Sequence, residues 1–168
     1  SMAGMRMLLN GGNAFDAMAA AGFAAAVIEP IASYSLAAGG VFMLYDAASD
    51  EMLSLSGQGV APGLATADFY KSRGMDRIPT GPGDKAHFSF TVPGIVEAFI
   101  SLLERYGCMP IDQVLAPAID YAENGIPHYE YMLERLKSPA TPQQFDLYPP
   151  SGWDVFFDNK QVPQPGSL

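Results

Sequence analysis

A chain of 168 residues with 49% hydrophobic content and a formal net charge of −9 is long enough to bury most of its extended surface in one domain. Its 9 Lys and Arg side chains form no patch that could track a phosphate backbone, which argues against nucleic acid as a partner. The single cysteine, Cys108, allows neither an internal disulfide nor a thiolate metal site, and is expected as a small apolar packing residue. The 17 glycines and 14 prolines exceed the roughly 7% and 5% of average proteins, so turns and long loops are expected.

Residues 3 to 10 place Met5, Leu8 and Leu9 on one face of an opening helix, which Asn10, Gly11 and Gly12 should end. No leader peptide is visible within the chain. The next helix runs from Asn13 toward Pro30. Asn13 is placed to cap its first turn, and Asp16 sets a carboxylate at the positive end of its dipole. The twelve residues between Asp16 and Glu29 carry no charge, and alanine predominates among them. Twelve residues rise only about 18 Å, short of the roughly 30 Å core of a bilayer, so a buried central helix is expected instead of a membrane span.

Ile31 to Gly40 reads as a close-packed connection of small residues. The runs Val41–Asp46 and Glu51–Ser56 flank Ala47-Ala48-Ser49-Asp50 and read as a hairpin. Its first strand is apolar throughout and is expected to be buried on both faces; the second alternates Leu53 and Leu55 with Ser54 and Ser56. Gly57 to Gly63 follows as a loop where a ligand could meet backbone amides.

Thr66 can cap a short helix, Ala67 to Ser72, and Arg73 to His87 should be a surface loop. Phe88 to Val92 alternates like a strand. Two amphipathic helices follow, one carrying Ile95, Ala98, Phe99, Leu102, Leu103 and Tyr106 and ending at Gly107, the other carrying Ile111, Val114, Leu115, Ala118, Ile119 and Ala122 and ending at Asn124-Gly125. They are expected to pack as a pair on one side of a sheet. A third helix is expected at about His128 to Lys137. Six of the 14 prolines fall after Ser138, where only Val155-Phe156-Phe157 and the residues to Val162 suggest a small hairpin.

His87 and His128 have no acidic or histidine partner at metal-ligand spacing, so both are expected in surface or capping roles. There is no Gly-x-Ser-x-Gly elbow and no cysteine with a histidine near it in sequence. The residues alone lead to a soluble domain of mixed α and β structure.

Several segments, in order, resemble the large chain of the gamma-glutamyltranspeptidases. They are Gly11 to Ala17, Glu29-Pro30, Gly39-Gly40 before Phe42 to Asp46, Ala61-Pro62, Val92-Pro93-Gly94, and Ala116 to Ile119 with Ala122 and Gly125-Ile126-Pro127. The resemblance implies an α+β fold of the N-terminal-nucleophile hydrolases, a four-layer αββα sandwich only partly present in this chain. Residues 1–168 would then be one partial large-chain domain, with 139–168 as a proline-rich irregular segment.

The resemblance further implies a precursor that cuts itself, and a new N-terminal threonine on a small chain that attacks a γ-glutamyl or related amide. Thr66, Thr80, Thr91 and Thr141 do not stand in the family's Thr-Thr-His context, so no catalytic residue is assigned in this chain. In the family an arginine forks onto the substrate α-carboxylate at the place occupied here by Gln58; an alternative alignment puts that place at Val60. Implied partners are the remainder of the large chain, the small catalytic chain and a small-molecule amide; no cofactor or metal is implied, and the location would be periplasmic or secreted. A non-catalytic remnant that binds a ligand or partner chain is the rival expectation. Either way, uncovered apolar faces should make the isolated chain self-associate.

Overall fold

Helix α2, Ala14–Ile28, is the element on which the first part of the chain packs. In the computed structural model, which describes residues 2–31, 34–80, 83–148 and 151–168, the chain divides into two units. The first comprises Ser1–Val60 with Val92–Ile126, the second Ala61–Thr91 with Pro127–Leu168. No helix among the described residues is long and apolar enough to cross a membrane.

The Asn13 cap is formed as the sequence predicts: its Oδ1 accepts the Phe15 and Asp16 N–H groups at 2.9 and 3.1 Å. Asp16 Oδ2 in turn accepts the Asn13 N–H at 2.8 Å, so two orphan donors of the helix end are satisfied reciprocally. Around α2 lie α1 (Met2–Leu9), α4 (Ile95–Tyr106) and α5 (Ile111–Asn124). The latter two pack chiefly against α2 and not on each other, so the expected helical pair is instead a pair of neighbours to one central helix. Ala19 and Ala20 are fully buried there, and the Phe99 ring of α4 meets Phe23 at 4.9 Å between centroids.

The opening helix turns the opposite way from its expected face. Ala3, Gly4 and Met7 are buried, while Met5, Leu8 and Leu9 are exposed. The cause is close approach: a Cβ on Gly4 would stand 2.8 Å from the Ala17 carbonyl oxygen, so backbone proximity to α2 selects the small-residue face.

Strands β1 (Val41–Asp46) and β2 (Glu51–Ser56) form the antiparallel hairpin in the register Val41 to Ser56 through Asp46 to Glu51, with the expected four-residue turn. Phe42 and Leu44 point into the core, where Phe42 meets Phe99 edge-on at 5.4 Å. The expectation that β1 is buried on both faces fails: Val41, Met43 and Tyr45 are 66%, 73% and 54% exposed. A continuous apolar run does not say how many layers cover it, and here helices cover only the Phe42 face. The Leu53 and Leu55 alternation in β2 holds.

The second unit contains α3 (Ala67–Lys71), a 3-10 helix over Ala86–Ser89, α6 (Glu130–Leu136), α7 (Ala140–Leu147) and α8 (Ser151–Phe156). Tyr70, Met75, Met132, Leu133 and Leu136 are the buried hydrophobic residues among those described there, and the Tyr70 hydroxyl donates to the Phe88 carbonyl at 2.7 Å. That contact belongs to a helical turn, so the strand expected over Phe88 to Val92 is not formed; only Val92 makes a bridge, to Val60 within the first unit. Likewise Val155 and Phe156 lie in α8, whose aromatic neighbours Trp153 and Phe156 flank Phe145. The expected hairpin shrinks to a tight turn in which Asp158 and Gln161 exchange backbone hydrogen bonds at 2.9 and 2.8 Å. Asn159 and Lys160 take the positive φ angles that such a turn demands.

Candidate functional site

Just beyond the hairpin, three segments of the first unit meet backbone to backbone. Gly40 and Gly57 exchange N–H to carbonyl bonds at 3.1 and 2.8 Å, which extends the β1–β2 ladder by one pair. The Ala38 carbonyl then accepts from Gly94 at 3.3 Å and from Ile95 at 3.1 Å, satisfying donors at the start of α4 that have no intrahelical partner. Val60 O accepts the Val92 N–H at 2.9 Å and closes the junction.

Glycine is required where these backbones approach. A Cβ on Gly57 would lie 2.6 Å from the Ala98 Cβ, and one on Gly94 would lie 2.6 Å from the Gly57 carbonyl oxygen. Gln58 sits on the outside of this junction and is exposed. Its Oε1 lies 3.3 Å from the point where a Cβ on Gly39 would stand, and no side-chain hydrogen bond engages its amide among the described residues. Val60, the other candidate position, is 66% exposed.

The first unit holds two cationic side chains, Arg6 and Arg105. Arg6 is on α1 and Arg105 is in the last turn of α4, eleven residues and about 16 Å along the helix from the junction at Gly94. Neither supplies a guanidinium beside Gln58. The group that would meet a carboxylate there is a neutral amide, with one donor face and no charge.

A second cluster is centred on Asp16, and only its Asn13 half is legible in sequence spacing. Asp16 is fully buried. Besides the Asn13 N–H it accepts Cys108 N–H at 3.2 Å, Met109 N–H at 3.2 Å and the Cys108 thiol at 3.1 Å. Asn13 completes the tie by donating its Nδ2 to the Tyr106 carbonyl at 2.6 Å. Burial pushes the Asp16 carboxyl up, but the bonds from Asn13, Cys108 and Met109 outweigh it and hold its pKa below the ordinary 3.8. Cys108 is exposed, not packed inside as expected; the hydrogen bond to Asp16 pushes its thiol above the ordinary 9.0. It is therefore a weak nucleophile at neutral pH. Its place in the first turn behind Asn13 was the available signal for Asp16, and its partners Cys108 and Met109, 92 and 93 residues away, carry none.

Thr66 Oγ1 accepts the Phe69 N–H at 3.2 Å, and the Thr141 hydroxyl donates to the Arg135 carbonyl at 3.1 Å, so both serve local structure. His128 holds the C-terminal loop, its Nδ1 lying 2.8 Å from the Ser167 carbonyl oxygen. Among the described residues no three His, Cys, Asp or Glu side chains converge as a metal site.

The family model described as Gamma-glutamyltranspeptidase matches residues 1–168. The chain belongs to the gamma-glutamyltranspeptidase family. The Glutathione hydrolase-like YwrD proenzyme of Bacillus subtilis is 35% identical over 155 residues, covering 88% of this chain and 28% of that protein. The Acylase ACY 1 proenzyme of a Pseudomonas species is 37% identical over 133 residues, covering 74% of this chain and 23% of that protein. Among solved structures, Helicobacter pylori gamma-glutamyltranspeptidase superposes with a TM-score of 0.85 at 32% identity, over 100% of this chain and 47% of that one. The chain thus spans about a quarter of the length of these curated relatives, and its mixed α and β fold is part of the N-terminal-nucleophile hydrolase fold of its family.

Proposed function

We propose that this chain is the N-terminal part of the large chain of a transpeptidase-like amidohydrolase, and that its activity is completed by the rest of that chain and by a small chain beginning in threonine. The family match over the whole chain carries this reading. The relatives' description as proenzymes supports the missing partner chain, and so does the hairpin face bearing Val41, Met43, Tyr45 and Met52, which only a further layer would cover.

In the reaction the threonine hydroxyl adds to the amide carbon of the donor while its proton passes to the threonine's own α-amino group. The C–N bond then breaks, the amine leaves with that proton, and water or an acceptor amine takes the acyl group from the threonine ester. Gln58 is our candidate for contact with the donor. Without a guanidinium it favours donors other than glutathione, because a neutral amide cannot replace a bidentate charged pair.

The test is amide hydrolysis by the full-length gene product across donors with and without an α-carboxylate. Hydrolysis is expected, with Gln58→Arg raising kcat/KM for γ-glutamyl donors by about tenfold over donors that lack the carboxylate. A well-folded product that hydrolyses no amide would favour the binding remnant.

A further inference from the structure

The first unit contains a cavity of about 210 Å³ between α2, the segment before β1 and the start of α4. Met18, Gly22, Leu36, Phe42, Ile95 and Phe99 are part of its wall, Tyr34 and Ser35 also line it, and among the described residues no Asp, Glu, Lys, Arg or His side chain does. Gly39 also lines it, and the free Gln58 amide lies against Gly39.

We infer that this cavity binds the apolar side chain of an uncharged acyl group, one aromatic ring or a branched chain of similar bulk, with the Gln58 amide meeting a polar atom of the same molecule. That the molecule is an acyl donor rests on the function proposed above; that the cavity takes an apolar group rests on its wall alone. Size is the first argument. Drug-sized ligands occupy roughly 300 to 1,000 Å³, whereas a dry cavity of roughly 150 Å³ lined by Leu, Ile and Phe already accepts benzene, so this volume suits a single ring and little more.

Charge is the second argument. The α-amino and α-carboxylate groups of a γ-glutamyl donor would enter a wall with no counter-charge, and ions removed from water without a partner are strongly disfavoured. An apolar side chain has no charge to desolvate on entry and gains the contacts of the Phe42 and Phe99 rings. Gln58 then supplies what such pockets need besides apolar wall, a polar group that fixes orientation.

The cavity owes its room to small residues on α2. Gly22 faces the Phe99 ring so closely that a Cβ there could not be accommodated, and Ala26, one turn further on, lines the same wall. Ala26→Phe would fill the space from one side. Met18→Trp, at a position half exposed on the rim, narrows it with less demand on the core.

Two measurements on the full-length gene product test the inference. In saturation-transfer NMR with phenylacetamide as probe, signal transfer is expected with the native protein, and at least a fivefold loss in both variants, their folding checked by circular dichroism. In the second, kcat/KM for a phenylacetyl anilide is expected to exceed that for the γ-glutamyl anilide by at least tenfold, and this ratio to fall tenfold in both variants. No transfer to the native protein, or equal transfer to folded variants, overturns the inference. Self-processing with hydrolysis but no probe binding would defeat the pocket and leave the proposed function standing. Probe binding lost in the variants, with no amide hydrolysed, would keep the pocket and defeat the enzyme.

Discussion

The carboxylate of Asp16 and the thiol of Cys108 stand 3.1 Å apart, although 92 residues separate them in the chain. The same carboxylate accepts from the Cys108 and Met109 backbones and from Asn13, so the start of α2 and the segment after α4 are held by one buried charge. Removing it leaves several part-buried donors without their acceptor. Asp16→Ala is therefore expected to lose about 3 kcal/mol of stability, and Asp16→Asn about half as much, in urea denaturation followed by circular dichroism. A loss below about 0.5 kcal/mol in the alanine variant would show that these bonds are dispensable.

The pH dependence has a definite sign. The folded Asp16 carboxyl lies below its ordinary 3.8, so its contribution is complete above that value and is lost as pH falls through the lower folded value. Stability of the native chain should thus decline below about pH 4 more steeply than that of Asp16→Asn. Parallel acid profiles for the two proteins would contradict the assignment.

Cys108 should be slow to alkylate despite its exposure. Its thiol is raised above 9.0 by the hydrogen bond it donates to Asp16, so iodoacetamide at pH 8 is expected to modify it severalfold more slowly than an unstructured cysteine peptide. Asp16→Asn should bring the rate back toward the peptide value. Fast modification of the native protein would show that the thiol is free of the carboxylate.

The glycine junction makes a steric prediction. Gly57→Ala would place a methyl group 2.6 Å from the Ala98 Cβ, and Gly94→Ala would place one 2.6 Å from the Gly57 carbonyl oxygen. Each should cost about 1 to 3 kcal/mol, whereas Gly63→Ala, with nothing within 4 Å of its Cβ position, should be close to neutral. Equal thermal midpoints for all three would remove the junction as a packed element.

The outer face of the hairpin should govern association. Met43 and Met52 are 73% and 63% exposed; Met43→Lys with Met52→Glu is expected to reduce self-association of the 168-residue chain in sedimentation velocity. Unchanged sedimentation would move the contact to other apolar surface, such as Leu8 and Leu9 of α1.

What could be read in the sequence was what neighbouring residues decide. The Asn13 cap, the uncharged run of α2, the hairpin turn and the stop at Gly125, whose φ is 76°, are local chemistry, and each is where it was expected. What escaped was decided by distant contacts. The buried face of α1 follows from the approach of Gly4 to Ala17, the helical turn at Phe88 is bonded to Tyr70, and Val155 lies in a helix beside an aromatic cluster. The candidate site shows the same division: Gln58 could be placed by its loop, while the fit of that loop over Gly39 and Gly94 depends on backbones brought together from three parts of the chain.

The most direct test of the functional account is the intact mass of the polypeptide made from the full native gene, before and after incubation at neutral pH. The account predicts two chains, the larger containing this sequence and the smaller beginning in threonine, and a single unsplit chain after replacement of that threonine by alanine. One unprocessed species, stable through the incubation and identical in the native and substituted proteins, would contradict a self-processing amidohydrolase.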